Sequence, residues 1–288
     1  MINKKNTNII RKPNWLKIKL PEVKDYTRIK NIVKEHNLHT ICSSGNCPNV
    51  GECWGMGTAT FMILGDICTR ACKFCAVKTG KPNPVDRNEP QNIAKSIKLM
   101  KLKHCVITSV DRDDLADGGS ILWSETIAAV KKENPDTTIE VLIPDFQGNY
   151  ENLKRVIETK PEVISHNLET VKRLTPNIRS KAKYEISLKV LKWISEAEIT
   201  SKSGIMLGLG EKEEEIIQTM DDLIQVNCKV LTLGQYLQPT KNHAEVINYI
   251  TPEKFEEYRL IGLKKGFKFV ESSPLVRSSY HADKHVGA

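Results

Sequence analysis

Six short apolar runs recur along the middle of the chain, and helical hydrophobic periodicity fills the stretches between them. Each run has the length and character of a buried strand. The runs are FMILG (61–65), HCVITSV (104–110), IEVLIP (139–144), EVISHNL (162–168), SGIMLGL (203–209) and KVLTLGQY (229–236). Segments 91–102, 121–133, 150–158, 183–197 and 211–226 place apolar residues three or four positions apart, as amphipathic helices do. A last helix is predicted from Thr251, as its N-cap, to Gly266.

This alternation predicts six βα units and an α/β fold. Strands that are separated by helices run parallel, with right-handed crossovers. A doubly wound open sheet and a barrel both fit the pattern, and we favour an incomplete (β/α)6 TIM-like barrel over residues 61–270. An extension at 1–60 and a tail at 271–288 are expected to pack on it. Chemistry is then expected in the loops at the carboxyl ends of the strands, and the incomplete barrel leaves a side opening for a large substrate.

Composition narrows the class of protein. The chain has 288 residues and a net charge of +8, spread without a block of five like charges. It has no apolar run near the ~20 residues that a bilayer span needs, and its basic N-terminus lacks the apolar core of a secretion signal. We therefore predict a cytoplasmic protein with neither a membrane nor a nucleic acid as partner.

The cysteines supply the strongest chemical signal. Six of the eight lie between residues 42 and 75. Directly after the first strand, Cys68, Cys72 and Cys75 have C-x3-C-x2-C spacing, with Phe74 just before the last. Three thiolates can hold three irons of a [4Fe–4S] cluster and leave the fourth iron open. A zinc ribbon would use two C-x2-C pairs, and a redox pair would not need Cys68.

A second triad stands upstream, in ICSSGNCPNVGECW. Cys42, Cys47 and Cys53 form a C-x4-C-x5-C pattern of soft ligands on a tight loop. Iron–sulfur and zinc sites usually take four ligands, and no fourth cysteine follows at a matching interval. The spacing leaves open what completes this site.

The C-x3-C-x-Φ-C motif after the first strand, in which Φ is Phe74, resembles that of the radical S-adenosylmethionine enzymes. The resemblance implies that Cys68, Cys72 and Cys75 hold a [4Fe–4S] cluster whose open iron chelates S-adenosylmethionine. In that superfamily, an electron from the cluster cleaves the cofactor to methionine and a radical that abstracts hydrogen from unactivated carbon.

Further motifs narrow the resemblance to the lipoyl synthase family, from about residue 11 to the end of the chain. They are the upstream triad, ITSVDRDDLADGGS (107–120), SHNLETV (165–171), KSGIMLGLGE (202–211), LTLGQYLQPT (231–240) and VRSSYHAD (276–283). That family is a group of sulfurtransferases. They insert two sulfur atoms, at C6 and C8 of an octanoyl group, on a lysine of a lipoyl carrier domain or the glycine-cleavage H protein.

The resemblance also implies what completes the upstream site. It assigns Cys42, Cys47 and Cys53 to an auxiliary [4Fe–4S] cluster that is the sulfur donor, with Ser279 as fourth ligand. Oxygen is harder than thiolate and suits a sulfide-bridged iron poorly, so this corner is the place for the cluster to open. The electron donor is expected to be a carrier such as flavodoxin or ferredoxin.

Three further residues are candidate contacts for S-adenosylmethionine. Asn167 and Glu169 follow the fourth strand and could meet the methionine end of the cofactor, although an Asn and a Glu also suit a helix start. Gly208 could let the backbone approach the adenine, although a glycine at a strand end is also common in a turn.

Two other functions stay open at this point. One is a different radical enzyme, in which the auxiliary cluster binds substrate or relays electrons during methylthiolation. The other is a metal-stabilised module that binds nucleic acid.

Overall fold

The computed structural model describes residues 11–17, 27, 31, 49–179 and 181–288. Cys42 and Cys47 lie outside the described residues. The strands are β1 Thr58–Ile63, β2 Ile67–Cys68, β3 Lys78–Thr79, β4 His104–Ser109, β5 Thr138–Leu142, β6 Val163–Ser165, β7 Thr200–Leu207, β8 Val230–Gln235 and β9 Phe269–Ser272. The helices are α1 Val50–Gly55, α2 Glu89–Met100, α3 Ser120–Glu133, α4 Tyr150–Ile157, α5 Thr175–Ile178, α6 Tyr184–Glu196, α7 Glu213–Gln225 and α8 Pro252–Lys265. Short 3₁₀ turns span Asn14–Leu16, Phe146–Gly148 and Ala282–His285.

Seven strands form one parallel sheet in the order β1-β4-β5-β6-β7-β8-β9, which apart from the separate pair β2 and β3 is chain order. The register runs from Thr58 beside His104 at one edge to Leu233 beside Ser272 at the other. Within the described residues β1 and β9 do not pair with each other, so the sheet does not close through hydrogen bonds. The predicted α/β fold and incomplete barrel are confirmed.

Burial explains why these segments are strands. Every residue of β1 and β8 is buried, as expected for parallel strands that are covered on both faces. The helices supply the outer cover; α2, for example, buries Ile93, Ile97 and Met100. The apolar core thus lies between the sheet and its helices, and the loops at the carboxyl ends of the strands are left for the site.

Helix α8 begins and ends at the capping residues that the sequence predicts. The hydroxyl of Thr251 accepts a hydrogen bond from the Lys254 amide at 3.3 Å and caps α8. Gly266 ends that helix with a φ of 110°, a conformation that side chains disfavour.

Besides the two-residue strands β2 and β3, the structure adds one strand, in the main sheet, that the sequence did not predict. Strand β9 pairs with β8, from Val230 beside Phe269 to Leu233 beside Ser272. It has four residues and ends in the polar pair Glu271 and Ser272, so it carries neither a long apolar run nor a clear alternation. As a result, the last strand straddles the predicted boundary between barrel and tail.

Candidate active site at the carboxyl ends of the strands

The loop after β1 carries the triad of Cys68, Cys72 and Cys75. Cys68 ends β2, and the amide of Gly80 donates to the Cys68 carbonyl at 3.0 Å, which closes the loop on itself. The amide of Cys75 donates to the Cys72 carbonyl at 3.1 Å and turns the chain between those two. The three predicted ligands therefore share one short closed loop beside the end of β1.

Backbone hydrogen bonds fasten this loop to two distant segments. The amide of Lys73 donates to the Ile178 carbonyl at 2.9 Å, and the Lys73 carbonyl accepts from Ala244 at 2.8 Å. His243 places Nε2 2.9 Å from the carbonyl of Cys75 and donates to it. The cysteine loop is thus fastened to the segments that carry Ile178 and Ala244.

The thiol of Cys68 donates to Asp111 Oδ2 at 3.7 Å, and its sulfur accepts two backbone hydrogen bonds. The amides of Arg70 and Asp111 donate to its Sγ at 3.4 and 3.3 Å. Burial raises the pKa of all three thiols, that of Cys72 to about 12, because the charged form loses its water. A bound metal reverses this, since a coordinating thiol is deprotonated.

Amide donors around a buried sulfur suit an iron–sulfur ligand, because hydrogen bonds to sulfur are among the features that tune such clusters. No group of three His, Cys, Asp or Glu side chains in the described part of the chain could hold a single metal ion. Three thiols on one loop suit a cluster in which each thiolate binds a separate iron.

A cavity of about 260 Å³ lies next to this loop. Four sources line it: Phe74 from the cysteine loop, residues in and just after β5, β7 and β8, the segment after β6 and the C-terminal tail. The lining residues are Phe74, Leu142, Asn167, Glu169, Gly204, Ile205, Met206, Thr232, Gly234, Gln235, Tyr236, Leu237, Val276, Arg277 and Ser278. Three of the predicted cofactor contacts, Phe74, Asn167 and Glu169, are thus brought together.

Asn167 and Glu169 give the cavity its polar end. The amide nitrogen of Asn167 donates to Glu169 Oε1 at 3.1 Å, while the buried Asn167 Oδ1 has no hydrogen-bond partner. Burial raises the pKa of Glu169, against the lowering effect of Arg179 and of the Asn167 amide. An unpartnered acceptor beside a carboxylate fits a ligand that brings N–H donors and positive charge, as an amino-acid ammonium group does.

The backbone at Glu169 is unusual. Its φ is +65°, and it forms an isolated parallel bridge with Ile205, donating to the Gly204 carbonyl and accepting from Met206 at 2.9 Å each. A non-glycine residue with positive φ is strained, and such strain concentrates at functional sites.

Gly204 and Gly208 are placed differently relative to the cavity. A Cβ at Gly204 would lie 2.4 Å from Thr232 Oγ1 and 3.2 Å from Asn167 Oδ1, so only glycine leaves the polar end open. Gly208, the predicted adenine contact, has a φ of 107° and packs against Gln235, which itself lines the cavity.

The C-terminal tail enters the site at Gly234. A Cβ on Gly234 would lie 2.2 Å from the carbonyl oxygen of Val276, so the missing side chain admits the tail. The amide of Gln235 donates to Pro274 O at 3.2 Å, and Arg277 Nη1 lies 2.7 Å from Val276 O. Ser278 then lines the cavity itself.

Past Ser279, the tail lies against the helix that carries Cys53. Tyr280 donates its hydroxyl hydrogen to Glu52 at 3.1 Å, and His281 Nε2 is 3.5 Å from the same carboxylate. On the other side of Ser279, Asn49 donates to the carbonyl of Leu275 at 2.8 Å. Cys53 and the tail are therefore neighbours, although more than 220 residues separate them.

Arg70, inside the cysteine loop, joins two other loops, the one after β4 and the one after β5. It lies 2.8 Å from Asp113, 2.7 Å from Asp145 and 3.3 Å from Asp111. Burial opposes its charge, but these carboxylates raise the pKa of Arg70 overall. Arg112 is likewise engaged, with Asp114 at 2.9 Å. The charged run 111–114 therefore fixes loops around the site.

Sequence reasoning did not single out Arg70, Glu52 or His243. The sequence does offer a signal for Arg70, because this residue lies between two cysteines of the motif. Its three carboxylate partners come from other loops, however, and only the fold shows that they converge.

The fold and the cysteine loop together define a class of enzyme. The family model of the radical SAM superfamily matches residues 62–223. Among solved structures, Streptococcus suis SuiB bound to S-adenosylmethionine is similar with a TM-score of 0.61 at 12% identity, over 79% of this chain and 54% of SuiB. Coproporphyrinogen III oxidase HemN from Escherichia coli is similar with a TM-score of 0.53 at 13% identity, over 73% of this chain and 53% of that one.

The particular family follows from closer relatives. The N-terminal domain model of lipoyl synthase matches residues 1–47. Mitochondrial lipoyl synthase of Nematostella vectensis is 62% identical over 96% of this chain and 95% of its own length. Lipoyl synthase of Bacteroides fragilis strain YCH46 is 62% identical over 98% of each. The chain belongs to the lipoyl synthase family.

In the described part of the chain, no helix has both the length and the apolarity to cross a membrane.

Proposed function

We propose that this chain inserts two sulfur atoms, at C6 and C8, into an octanoyl group that is amide-linked to a lysine of a lipoyl carrier domain or the glycine-cleavage H protein. Membership of the lipoyl synthase family supports this class of reaction. It argues against the two alternative functions that the sequence left open. When bound, the clusters and S-adenosylmethionine supply the radical chemistry and the sulfur. The protein's part is to bind, orient and exclude water.

One observation carries the assignment of residues. A single cavity is lined both by Asn167 and Glu169 and by Ser278 of the tail. The residue after Ser279, Tyr280, bonds to the helix that carries Cys53. A radical generated beside the cysteine loop would therefore form next to the tail, which is the arrangement that sulfur transfer to a carbon radical needs.

We assign the following roles in cluster and cofactor binding to individual residues. Cys68, Cys72 and Cys75 would hold the cluster that binds S-adenosylmethionine. Glu169 and Asn167 would receive its ammonium group, with Phe74 packed beside it, and Gly208 would set the backbone near the adenine.

The extension 1–60 would bring Cys42, Cys47 and Cys53 to an auxiliary cluster. The tail 271–288 would supply Ser279 as its fourth ligand.

We propose further that a small one-electron carrier such as flavodoxin or ferredoxin reduces the enzyme in the cytoplasm. The net charge of +8 favours an acidic carrier. Reduction by such a carrier should slow as salt is raised, since salt screens long-range attraction.

The reaction is tested by isotope labelling. Protein reconstituted anaerobically with heavy-isotope sulfide should hold roughly eight irons, as two four-iron clusters. In a single turnover with an octanoyl-lysine peptide and unlabelled sulfide in solution, the product should carry two heavy sulfur atoms. Light sulfur in the product of that first turnover would contradict the assignment of the auxiliary cluster as the donor.

A further inference from the structure

A fully buried ion pair lies within the sheet, two residues along the strands from Leu142 and Gly204, which line the cavity. Lys202 of β7 places Nζ 2.9 Å from both carboxylate oxygens of Glu140 on β5, and both residues are 0% exposed. Ser165, on the intervening strand β6, donates to Glu140 at 2.8 Å. The network spans three adjacent strands.

The third partner of Lys202 comes from the end of the chain. An ammonium group has three N–H donors, and two of them are taken by Glu140. The remaining one meets Nδ1 of His285, 3.2 Å away, in a residue that is also 0% exposed. Accepting at Nδ1 places the proton of His285 on Nε2, which lies 3.9 Å from Glu271 of β9.

The tail therefore runs from one end of the barrel towards the other. It enters beside Gly234 at the carboxyl ends of the strands. Its last turn contacts Lys202, the third residue of β7, and the Ala288 carbonyl accepts from Thr200, the first residue of β7, at 3.2 Å. Ser279 lies between these two attachments, at Val276 and His285.

The free-energy cost of burying this ion pair indicates that the pair has a specific role. A charged pair is expensive to bury, and an apolar pair of the same size is often as stable or more stable. An exposed lysine–glutamate pair contributes little to stability. The buried network does one thing that an apolar pair would not, which is to offer a directed hydrogen bond to the last turn of the chain.

We propose that Lys202, through its hydrogen bond to His285, is a positioning residue that fixes the tail and thereby holds Ser279 at the auxiliary cluster. This rests on the proposed function, in which Ser279 is a ligand. Lys202 does not line the cavity and acts through the tail.

The decisive variants are at His285, because they leave the Lys202–Glu140 pair intact. His285→Leu removes the acceptor, and His285→Asn offers an amide oxygen near the position of Nδ1. In the reconstituted protein, His285→Leu should speed hydrogen exchange of the amides in 275–288 by about tenfold. It should also release iron from the auxiliary cluster while S-adenosylmethionine cleavage continues. His285→Asn should restore both.

A matched surface variant and a double variant complete the test. Lys254→Met breaks the exposed pairs with Glu213 and Glu257 and should leave tail exchange unchanged. Lys202→Met combined with Glu140→Leu removes the network without leaving an unpaired charge, and it should behave like His285→Leu.

Unchanged tail exchange in His285→Leu would overturn the proposal. So would faster exchange with undiminished auxiliary iron and sulfur insertion, or equal effects of Leu and Asn. The role of Ser279 itself is judged separately, from Ser279→Ala. That variant can lose sulfur insertion while tail exchange still depends on His285, so failures of the two ideas are distinguishable.

Discussion

The hydroxyl of Tyr280 donates a hydrogen bond to the carboxylate of Glu52 at 3.1 Å, across 228 positions of sequence. Asn49 holds Leu275 in the same way at 2.8 Å, across 226 positions. Two contacts from one short helix region thus flank Ser279. The neighbour of Cys53 and the neighbour of Ser279 are bonded to each other, which is the geometry that a site shared by the two ends of the chain requires.

Tyr280→Phe removes this hydrogen bond and keeps the ring. The loss of one hydrogen bond to a charged acceptor costs about 1.5 kcal/mol or more, which corresponds to at least about tenfold in an equilibrium. We expect the auxiliary cluster to lose iron to a chelator about tenfold faster while cleavage of S-adenosylmethionine is unchanged. Tyr150→Phe, on an exposed ring that contacts Trp193, is the control. Equal iron loss in both variants would contradict the coupling.

Gly234→Ala tests whether the tail must pack closely on β8. The added Cβ would lie 2.2 Å from the Val276 carbonyl, which is backbone and cannot turn aside as a side chain can. We expect sulfur insertion to fall by more than tenfold, because the tail is displaced, and the free energy of unfolding to drop by about 1–3 kcal/mol.

Gly55→Ala is the matched control, since nothing lies within 4 Å of a Cβ at that exposed position. It should keep both activity and stability. A Gly234→Ala protein with wild-type sulfur insertion would show that the close approach is dispensable.

Glu169→Gln tests whether Glu169 receives the ammonium group of S-adenosylmethionine. The change removes the negative charge and keeps the size of the side chain, so only the attraction for a cationic group is lost. Hydrogen bonds to charged groups contribute about 1.5–3 kcal/mol, so the Kd for S-adenosylmethionine should rise about tenfold to a hundredfold.

Equilibrium binding measures this, with iron content as a check that the cluster is intact. Glu185→Gln removes an exposed pair with Lys172 and should not change the Kd. An unchanged Kd in Glu169→Gln would remove Glu169 from the binding site.

The pH dependence of stability is set in part by His166. Burial, and then the charge of Arg179, lower the pKa of His166 to about 4. It is neutral in the folded protein, with Nδ1 2.9 Å from the Ile143 carbonyl and Nε2 2.9 Å from Ser187. An unfolded histidine titrates near pH 6.5, so the unfolded chain binds more protons between these values. Stability is therefore lost as pH falls from about 6.5 towards 4.

At pH 5.5 this single group should cost about 1.4 kcal/mol of unfolding free energy relative to pH 7.5. His166→Gln should lose less stability over that interval than the parent by about this amount, in paired denaturant titrations. His104 and His285, whose pKa values burial also lowers, remain in both proteins and cancel in the difference. Identical pH dependence of the two proteins would contradict the neutral, buried state of His166.

Much of the fold could be predicted from the sequence because apolar residues recur with different periods in strands and in helices. The six predicted strands correspond to β1 and β4–β8, and Thr251 and Gly266 delimit α8 as their chemistry predicts. Strand β9 was missed because four residues at a sheet edge leave little pattern. Its position depends on pairing with β8, which is a tertiary property.

Only the local parts of the site could be predicted from the sequence. Cys68, Cys72 and Cys75 share a loop because their spacing requires it. The contacts of Tyr280 with Glu52, of Arg70 with three aspartates and of His285 with Lys202 join residues that no local pattern connects. They arise when the barrel brings separate loops and the tail together, so no local pattern in the sequence could identify these pairs.

The most direct test of the account compares two adjacent serines of the tail. Ser279→Ala should retain the cluster of Cys68, Cys72 and Cys75 and still cleave S-adenosylmethionine, while its auxiliary cluster loses its oxygen-ligated iron in the Mössbauer spectrum and no sulfur reaches the octanoyl chain. Ser278→Ala should keep the auxiliary iron signature. Full sulfur insertion by Ser279→Ala with an unaltered auxiliary spectrum would contradict the central claim that the two ends of the chain build one site.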